Sequence, residues 1–305
     1  ETLTTDLIGS VNRNGEVLIN TVKPVQINPF LLLLPLFMDD TSEDEIRTLN
    51  PKGELATLQF HLNNGEPEVA AKVVDLQWSQ TENVPGLSSL DVDFYWYKNN
   101  GAVYLSSEDS VISAKGNIKK DLYVNRLNAD LFIYPQSEDG AENGNTPSQW
   151  LIKGTNMLLD TDSITVHPQI KLNTTTGFLS LYVDVEPIAV EGVSDLFPSS
   201  VMGSKTDEYL TRAFVGKGDI ENARILWHGR TKDFPFDDNS GIFQAYVDIS
   251  QGDFLFAPDW PALNELDLSL YFVNNALVME SESAKLGDMK ISNMSAAIPS
   301  FKPGS

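Results

Sequence analysis

Apolar and polar side chains alternate with period two along most of this 305-residue chain, the pattern of strands that bury one face. Leu58, Phe60 and Leu62 alternate with Gln59 and His61, and Val92, Phe94 and Trp96 alternate with Asp91, Asp93 and Tyr95. Leu127, Ala129, Leu131 and Ile133 stand against Asn128 and Asp130, and Leu179, Leu181, Val183 and Val185 against Ser180 and Asp184. Leu266, Leu268, Leu270 and Phe272 stand against Asp267 and Ser269. Turn-forming residues fall at Asn12-Arg13-Asn14-Gly15, Asn63-Asn64-Gly65, Asn99-Asn100-Gly101 and Gln251-Gly252, so the spacing predicts antiparallel meanders. Two short helices are expected. Thr41 or Ser42 can cap one through Leu49, with acidic residues in its first turn and Pro51-Lys52-Gly53 stopping it. Ser204 or Thr206 can cap another to about Phe214, ended by Gly216. The fold class is therefore mainly β, with helices near 41–50 and 205–215.

The chain also repeats itself. Pro85-Gly86-Leu87-Ser88-Ser89-Leu90-Asp91-Val92-Asp93-Phe94-Tyr95 returns as Pro261-Ala262-Leu263-Asn264-Glu265-Leu266-Asp267-Leu268-Ser269-Leu270-Tyr271, an offset of 176 from Pro85 to Pro261. Upstream, Lys52-Gly53-Glu54-Leu55 returns as Lys217-Gly218-Asp219-Ile220, an offset of 165 from Lys52 to Lys217. The copies, about 41–112 and about 205–290, keep their order, and the second is read as longer by about one strand's worth of chain. A repeat unit of several strands suggests growth by adding sheet. Segments 1–192 and 193–305 are expected, joined near Leu196-Phe197-Pro198 and forming one continuous elongated sheet, with Leu58 and Ile225 on corresponding faces. The polar stretch Gln136 to Ser148 reads as a loop inserted between strands.

Composition narrows the function. Lys and Arg number 21 against 43 Asp and Glu, a net charge of −22. Such a surface repels phosphate backbones and anionic bilayers, so no nucleic-acid partner is expected. The chain has no cysteine, which removes disulfides and thiolate metal sites. The longest apolar stretch, Pro29 to Met38, is too short to span a bilayer. It reads as a short buried helix plugging a sheet, with a lipid-contacting segment as the alternative. His61, His167 and His228 show no metal-ligand spacing, and no nucleophile elbow, phosphate loop or calcium loop is present. No catalytic residue, metal or cofactor is expected, and the chain is read as non-enzymatic.

What remains is apolar surface on sheets. Two short helices cannot cover it, so the face must be closed by a second sheet, by folding over, or by a ligand. A β-sandwich of the cell envelope with a closed core, structural or ligand-binding, is one reading, and an open apolar groove is the other. The second copy bears on this choice. Phe234-Pro235-Phe236, Gly241-Ile242-Phe243, Phe254-Leu255-Phe256-Ala257-Pro258-Asp259-Trp260-Pro261-Ala262-Leu263, Leu286-Gly287 and Ala297-Ile298-Pro299 together resemble the YhdP branch of the AsmA-like envelope proteins of Gram-negative bacteria. The resemblance covers most of the chain and is most specific after about residue 190.

That resemblance implies a long curved antiparallel sheet folded into an apolar groove, as an interior stretch of a periplasmic bridge. The full-length protein would be anchored in the inner membrane by an N-terminal helix missing from this fragment. It would move phospholipids between the inner and outer membranes and support outer-membrane integrity. The partners implied are phospholipid acyl chains, and the two membranes through parts of the protein absent here. The groove would be lined by Leu58, Phe60, Phe94, Trp96, Leu266, Leu268, Leu270 and Phe272, the apolar sides of the matching strands.

Overall fold

The structure, a computed structural model, describes residues 6–29, 31, 40–82, 84–116, 118–136, 149–190, 204–213, 217–255 and 257–300. Most of the Pro29 to Met38 stretch, the loop after Gln136 and the joint at Leu196-Phe197-Pro198 lie outside them. The chain divides into two compact units, one of residues 1–114 and 121–162, the other of residues 115–120 and 163–305. The repeat boundary proposed near residue 193 partitions the chain by sequence copy rather than by these units.

The first unit is a meander of β1 (Leu7–Val11), β2 (Val17–Thr21), β3 (Val25–Gln26), β4 (Lys52–Asn63), β5 (Glu66–Gln77), β6 (Gly86–Leu87), β7 (Asp91–Tyr97), β8 (Asn100–Ser113), β9 (Leu122–Gln136) and β10 (Gln149–Thr161), with helix α1 (Asp40–Leu49) before β4. Every pairing is antiparallel. Strands β2 and β3 are two pieces of one strand laid along β4, and β6 and β7 lie together along β8. Asn64 and Gly65, with φ of 51° and 81°, form the tight turn between β4 and β5, where an amide-bearing residue and glycine tolerate the left-handed backbone.

The second unit repeats this plan. It contains β11 (Thr165–Asn173), β12 (Phe178–Val185), β13 (Ile188–Ala189), helix α2 (Ser204–Ala213), β14 (Asp219–Arg230), β15 (Ile242–Phe254), β16 (Leu263–Val273), β17 (Ala276–Leu286) and β18 (Met289–Ile298). Strands β12 and β13 lie along β14 as β2 and β3 lie along β4. The registers coincide pair by pair. Leu55↔Val73 and Val73↔Val92 in the first unit correspond to Ile220↔Ile249 and Ile249↔Leu268 in the second. Ala71↔Phe94 and Phe94↔Val103 correspond to Val247↔Leu270 and Leu270↔Met279. Leu58 and Ile225 both lie on apolar faces, one register step apart: Leu58 corresponds to Ala223, and Phe60 to Ile225.

One irregularity is also repeated. Asp75 and Gln251 take left-handed φ of 51° and 52° near the ends of β5 and β15. Their amides donate to the carboxylates of Asp91 and Asp267, each at 3.1 Å. The bulge is packed against a glycine at the start of the preceding strand (Gly53) or just before it (Gly218): a Cβ on Gly53 would stand 3.0 Å from the Leu76 Cα, and one on Gly218 2.7 Å from the Gly252 Cα. Such bulges bend and twist a strand locally. Gln251-Gly252 is thus a bulge inside β15 rather than a turn between strands, because the Asp267 carboxylate satisfies the displaced amide. The extra length of the second copy, about a strand's worth of residues, falls in one place. It is the connection of residues 231–241, which replaces the two-residue turn of the first copy.

Candidate functional site: the apolar faces

In the first unit the pairing stacks apolar side chains into rows that cross the strands. One row runs Ile19, Phe60, Val69, Trp96, Gly101, Ile133 and Ile152. The next runs Thr21, Leu58, Ala71, Phe94, Val103, Leu131 and Gly154. A third runs Val25, Leu55, Val73, Val92, Leu105 and Ala129. No charged side chain interrupts them. Apart from Leu55, Ala129 and the two glycines, every residue of these rows is only half-buried. A packed second layer would bury such residues, since protein interiors are close-packed. The cross-strand neighbours shelter each side chain laterally, and Trp96 leans on Trp150 at 5.5 Å, but among the described elements no second layer packs over the face. Leu58, Phe60, Phe94 and Trp96 all lie on it.

The same face in the second unit is partly closed. Leu266, Leu268 and Leu270 are 3%, 7% and 6% exposed, in a core with Ile220, Ala223, Ile249, Phe254, Leu263, Leu277 and Met279. Helix α2 contributes to that core: Ala213 is wholly buried, and Tyr209 meets Phe254 edge-on at 6.4 Å. Phe272 lies farther along the strands, in the row of Val183, Ile225, Ala245, Leu277 and Ile298, and is half-buried. The eight residues singled out from the sequence therefore share one kind of face but not one degree of cover.

The sequence pattern did not single out the aromatic cluster of Trp227, Phe234, Phe236 and Phe243, whose ring centroids lie 5.2–5.9 Å apart. Trp227 and Phe243 extend the apolar face as the row Ile170, Leu181, Trp227, Phe243. The signal was the doubled Phe in a connection between strands, where turn residues would suffice.

The opposite faces carry the charged side chains and most of the tyrosines, with Phe132 edge-on to Tyr104 among them. Tyr95, Tyr97 and Tyr104 are exposed, Lys72 faces Asp93 at 3.5 Å, and Arg224 faces Asp184 at 3.3 Å. Asp248 accepts from Ser269 at 2.6 Å and pushes the Tyr246 phenol up to about 12. His61 sits between Glu16, at 2.6 Å, and Glu68, at 3.5 Å. Its hydrogen bond to Glu16 raises its pKa most, with Glu68 assisting. His167 meets Glu186 at 2.8 Å and His228 meets Ser180 at 2.9 Å. Among the described residues no three metal-ligating side chains converge, and no helix is long and apolar enough to cross a membrane.

Amphipathic antiparallel meanders built twice to one register, with an apolar face left half-covered, define an open-sheet, repeat-built class of β protein. The profile of the family described as YhdP protein matches residues 3–304, and the chain belongs to that family. It is 28% identical over 272 residues to the intermembrane phospholipid transporter YhdP of Escherichia coli strain K12, an alignment covering 85% of this chain. The chain spans only 20% of that relative's length. No solved structure matches it.

Proposed function

We propose that this chain is an interior segment of a non-enzymatic, bridge-like conduit that carries phospholipids between the inner and outer membranes. The observation that carries this reading is the open apolar face of the first unit, with its uncharged rows of half-buried Leu, Phe, Val, Ile and Trp. Its relative's designation as an intermembrane phospholipid transporter supplies the class of cargo. Exposing a lipid tail to water costs about 0.8 kcal/mol per CH₂. A face that shelters the tail while the head group stays in solvent removes that cost without a strong site. Rows of similar side chains repeated along the sheet give many weak sites in series. Leu58, Phe60, Phe94 and Trp96 line the open part, and Phe272 its counterpart in the second unit. Leu266, Leu268 and Leu270 floor a closed stretch beside helix α2.

The acidic outer faces discourage adhesion to anionic lipid surfaces. In this reading the protein works in the periplasm, anchored to the inner membrane by an N-terminal helix, reaches both membranes through segments other than this one, and supports outer-membrane integrity. The buried stretch of the second unit favours one alternative, a closed envelope module that binds no lipid. Native mass spectrometry of the purified chain separates the two. Retained phospholipid, lost when Phe94 and Trp96 are both changed to Ser, supports the conduit. A lipid-free protein that stays lipid-free when mixed with phospholipid micelles refutes it.

A further inference from the structure

The connection of residues 231–241 is present only in the second copy, and it is built around two phenylalanines with different roles. Phe236 is 1% exposed. Its ring occupies a socket between two glycines: a Cβ would meet it at 2.7 Å from Gly229 and at 2.6 Å from Gly241. Glycine at both positions makes the socket, so Phe236 is the anchor. Phe234, two residues earlier, is 36% exposed. It lies nearly parallel to the Trp227 ring at 5.3 Å and 28°, and edge-on to Phe243 at 5.9 Å. Trp227 and Phe243 belong to the apolar row that ends the face on this side. The ion pair of Arg230 with Asp233 at 2.6 Å holds the short helical turn Thr231–Asp233 just before Phe234. The matching row of the first copy, Val17, Leu62 and Pro67, is closed by the two-residue Asn64-Gly65 turn.

We infer that Phe234 is a displaceable cap on the groove, standing on Trp227 and Phe243 where an acyl chain would otherwise lie. This rests on the conduit reading and adds to it a gate confined to the second copy. A ring that leaves as a chain arrives keeps the row dry in both states, so the exchange is close to balanced and passage is not blocked. The anchor at Phe236 lets Phe234 move without releasing the connection. Phe234 therefore sets how readily a chain occupies this end of the face, while Phe94 in the first unit is unaffected.

The test is photo-crosslinking in cells with the full-length protein, with a benzophenone amino acid at Phe243 or at Phe94. Each position is combined with native Phe234, Phe234→Ala or Phe234→Leu. Removing the ring should raise phospholipid capture at Phe243 several-fold, with Leu intermediate, and leave capture at Phe94 unchanged. Unchanged or lower capture at Phe243, while Phe94 still captures lipid, would overturn the cap and leave the conduit standing. Loss of hydrogen-exchange protection across β14 and β15 in Phe234→Ala would also overturn it, because Phe234 would then be a core residue. Absence of capture at Phe94 in every background would remove the conduit reading, and the cap with it.

Discussion

Phe94 and Leu270 occupy the same register position in the two copies, and their contrast in cover can be turned into a number. Consider Glu at each. Leu270 is 6% exposed, between Val247 and Met279, with no cation facing it in its row. A carboxylate there is an uncompensated buried charge, a change that costs about 3–5 kcal/mol, and the lost burial of Leu adds about 1.5–3 kcal/mol. Against a domain stability of about 5–15 kcal/mol, Leu270→Glu should unfold the second unit or leave it marginal. A surviving fold should melt lower by at least about 10 °C, at about 2–4 °C per kcal/mol. Phe94, between Ala71 and Val103, is half-buried on an open face. A carboxylate there reaches water, and the cost is the sheltered part of the ring alone, about 1–2 kcal/mol. Hydrogen exchange read peptide by peptide, together with thermal unfolding, assigns each loss to its unit. Equal losses at the two positions, or the larger at Phe94, would show that the first unit's face is a packed core and refute the reasoning.

Other outcomes follow from the same geometry. Asp267→Ala removes the acceptor for the Gln251 amide and for the Ser283 hydroxyl at 3.0 Å; it should cost about 1.5–3 kcal/mol in urea unfolding, and Asp91→Ala should lose a similar amount in the first unit. Gly218→Ala forces a Cβ into the Gly252 backbone at 2.7 Å from a φ of 116°, so it should destabilise by more than the roughly 1 kcal/mol that glycine costs elsewhere; an unchanged urea midpoint would contradict the packed bulge. His61, facing Glu16 and Glu68, has its pKa raised above the ordinary 6.5. Its contribution is thus fully present below pH 6.5 and is lost as pH climbs through the higher folded value. Protection factors of the β1–β2 amides, corrected for intrinsic base-catalysed exchange, should fall over that window, and His61→Gln should abolish the fall.

The period-two pattern made most of the sheet legible. Val92, Phe94 and Trp96 share a face because alternation admits no other arrangement of those residues in a strand. The two helices lie at Asp40–Leu49 and Ser204–Ala213, close to the expected 41–50 and 205–215, the first starting one residue before Thr41. The repeat was legible too, since Pro85 to Tyr95 and Pro261 to Tyr271 kept both spacing and polarity. What alternation could not supply was cover. Phe94 and Leu270 look alike in sequence, but Leu270 belongs to a buried cluster that also holds Ala213 of helix α2 and Val190, and alternation along one strand carries no record of such a cluster. The Gln251-Gly252 bulge read as a turn because turns and bulges draw on the same residues. The length gained by the second copy was legible, but its position in the connection of residues 231–241, around Phe234 and Phe236, was not, because a shift in repeat offset does not locate the insertion.

The central claim is that one face of the first unit carries acyl chains and the other does not. Strand β7 tests it within five residues. A photo-crosslinking amino acid placed in turn at Val92, Asp93, Phe94, Tyr95 and Trp96 of the full-length protein should capture phospholipid in cells at Val92, Phe94 and Trp96, and fail at Asp93 and Tyr95. Capture without that alternation, or none at the three apolar positions, would contradict the account.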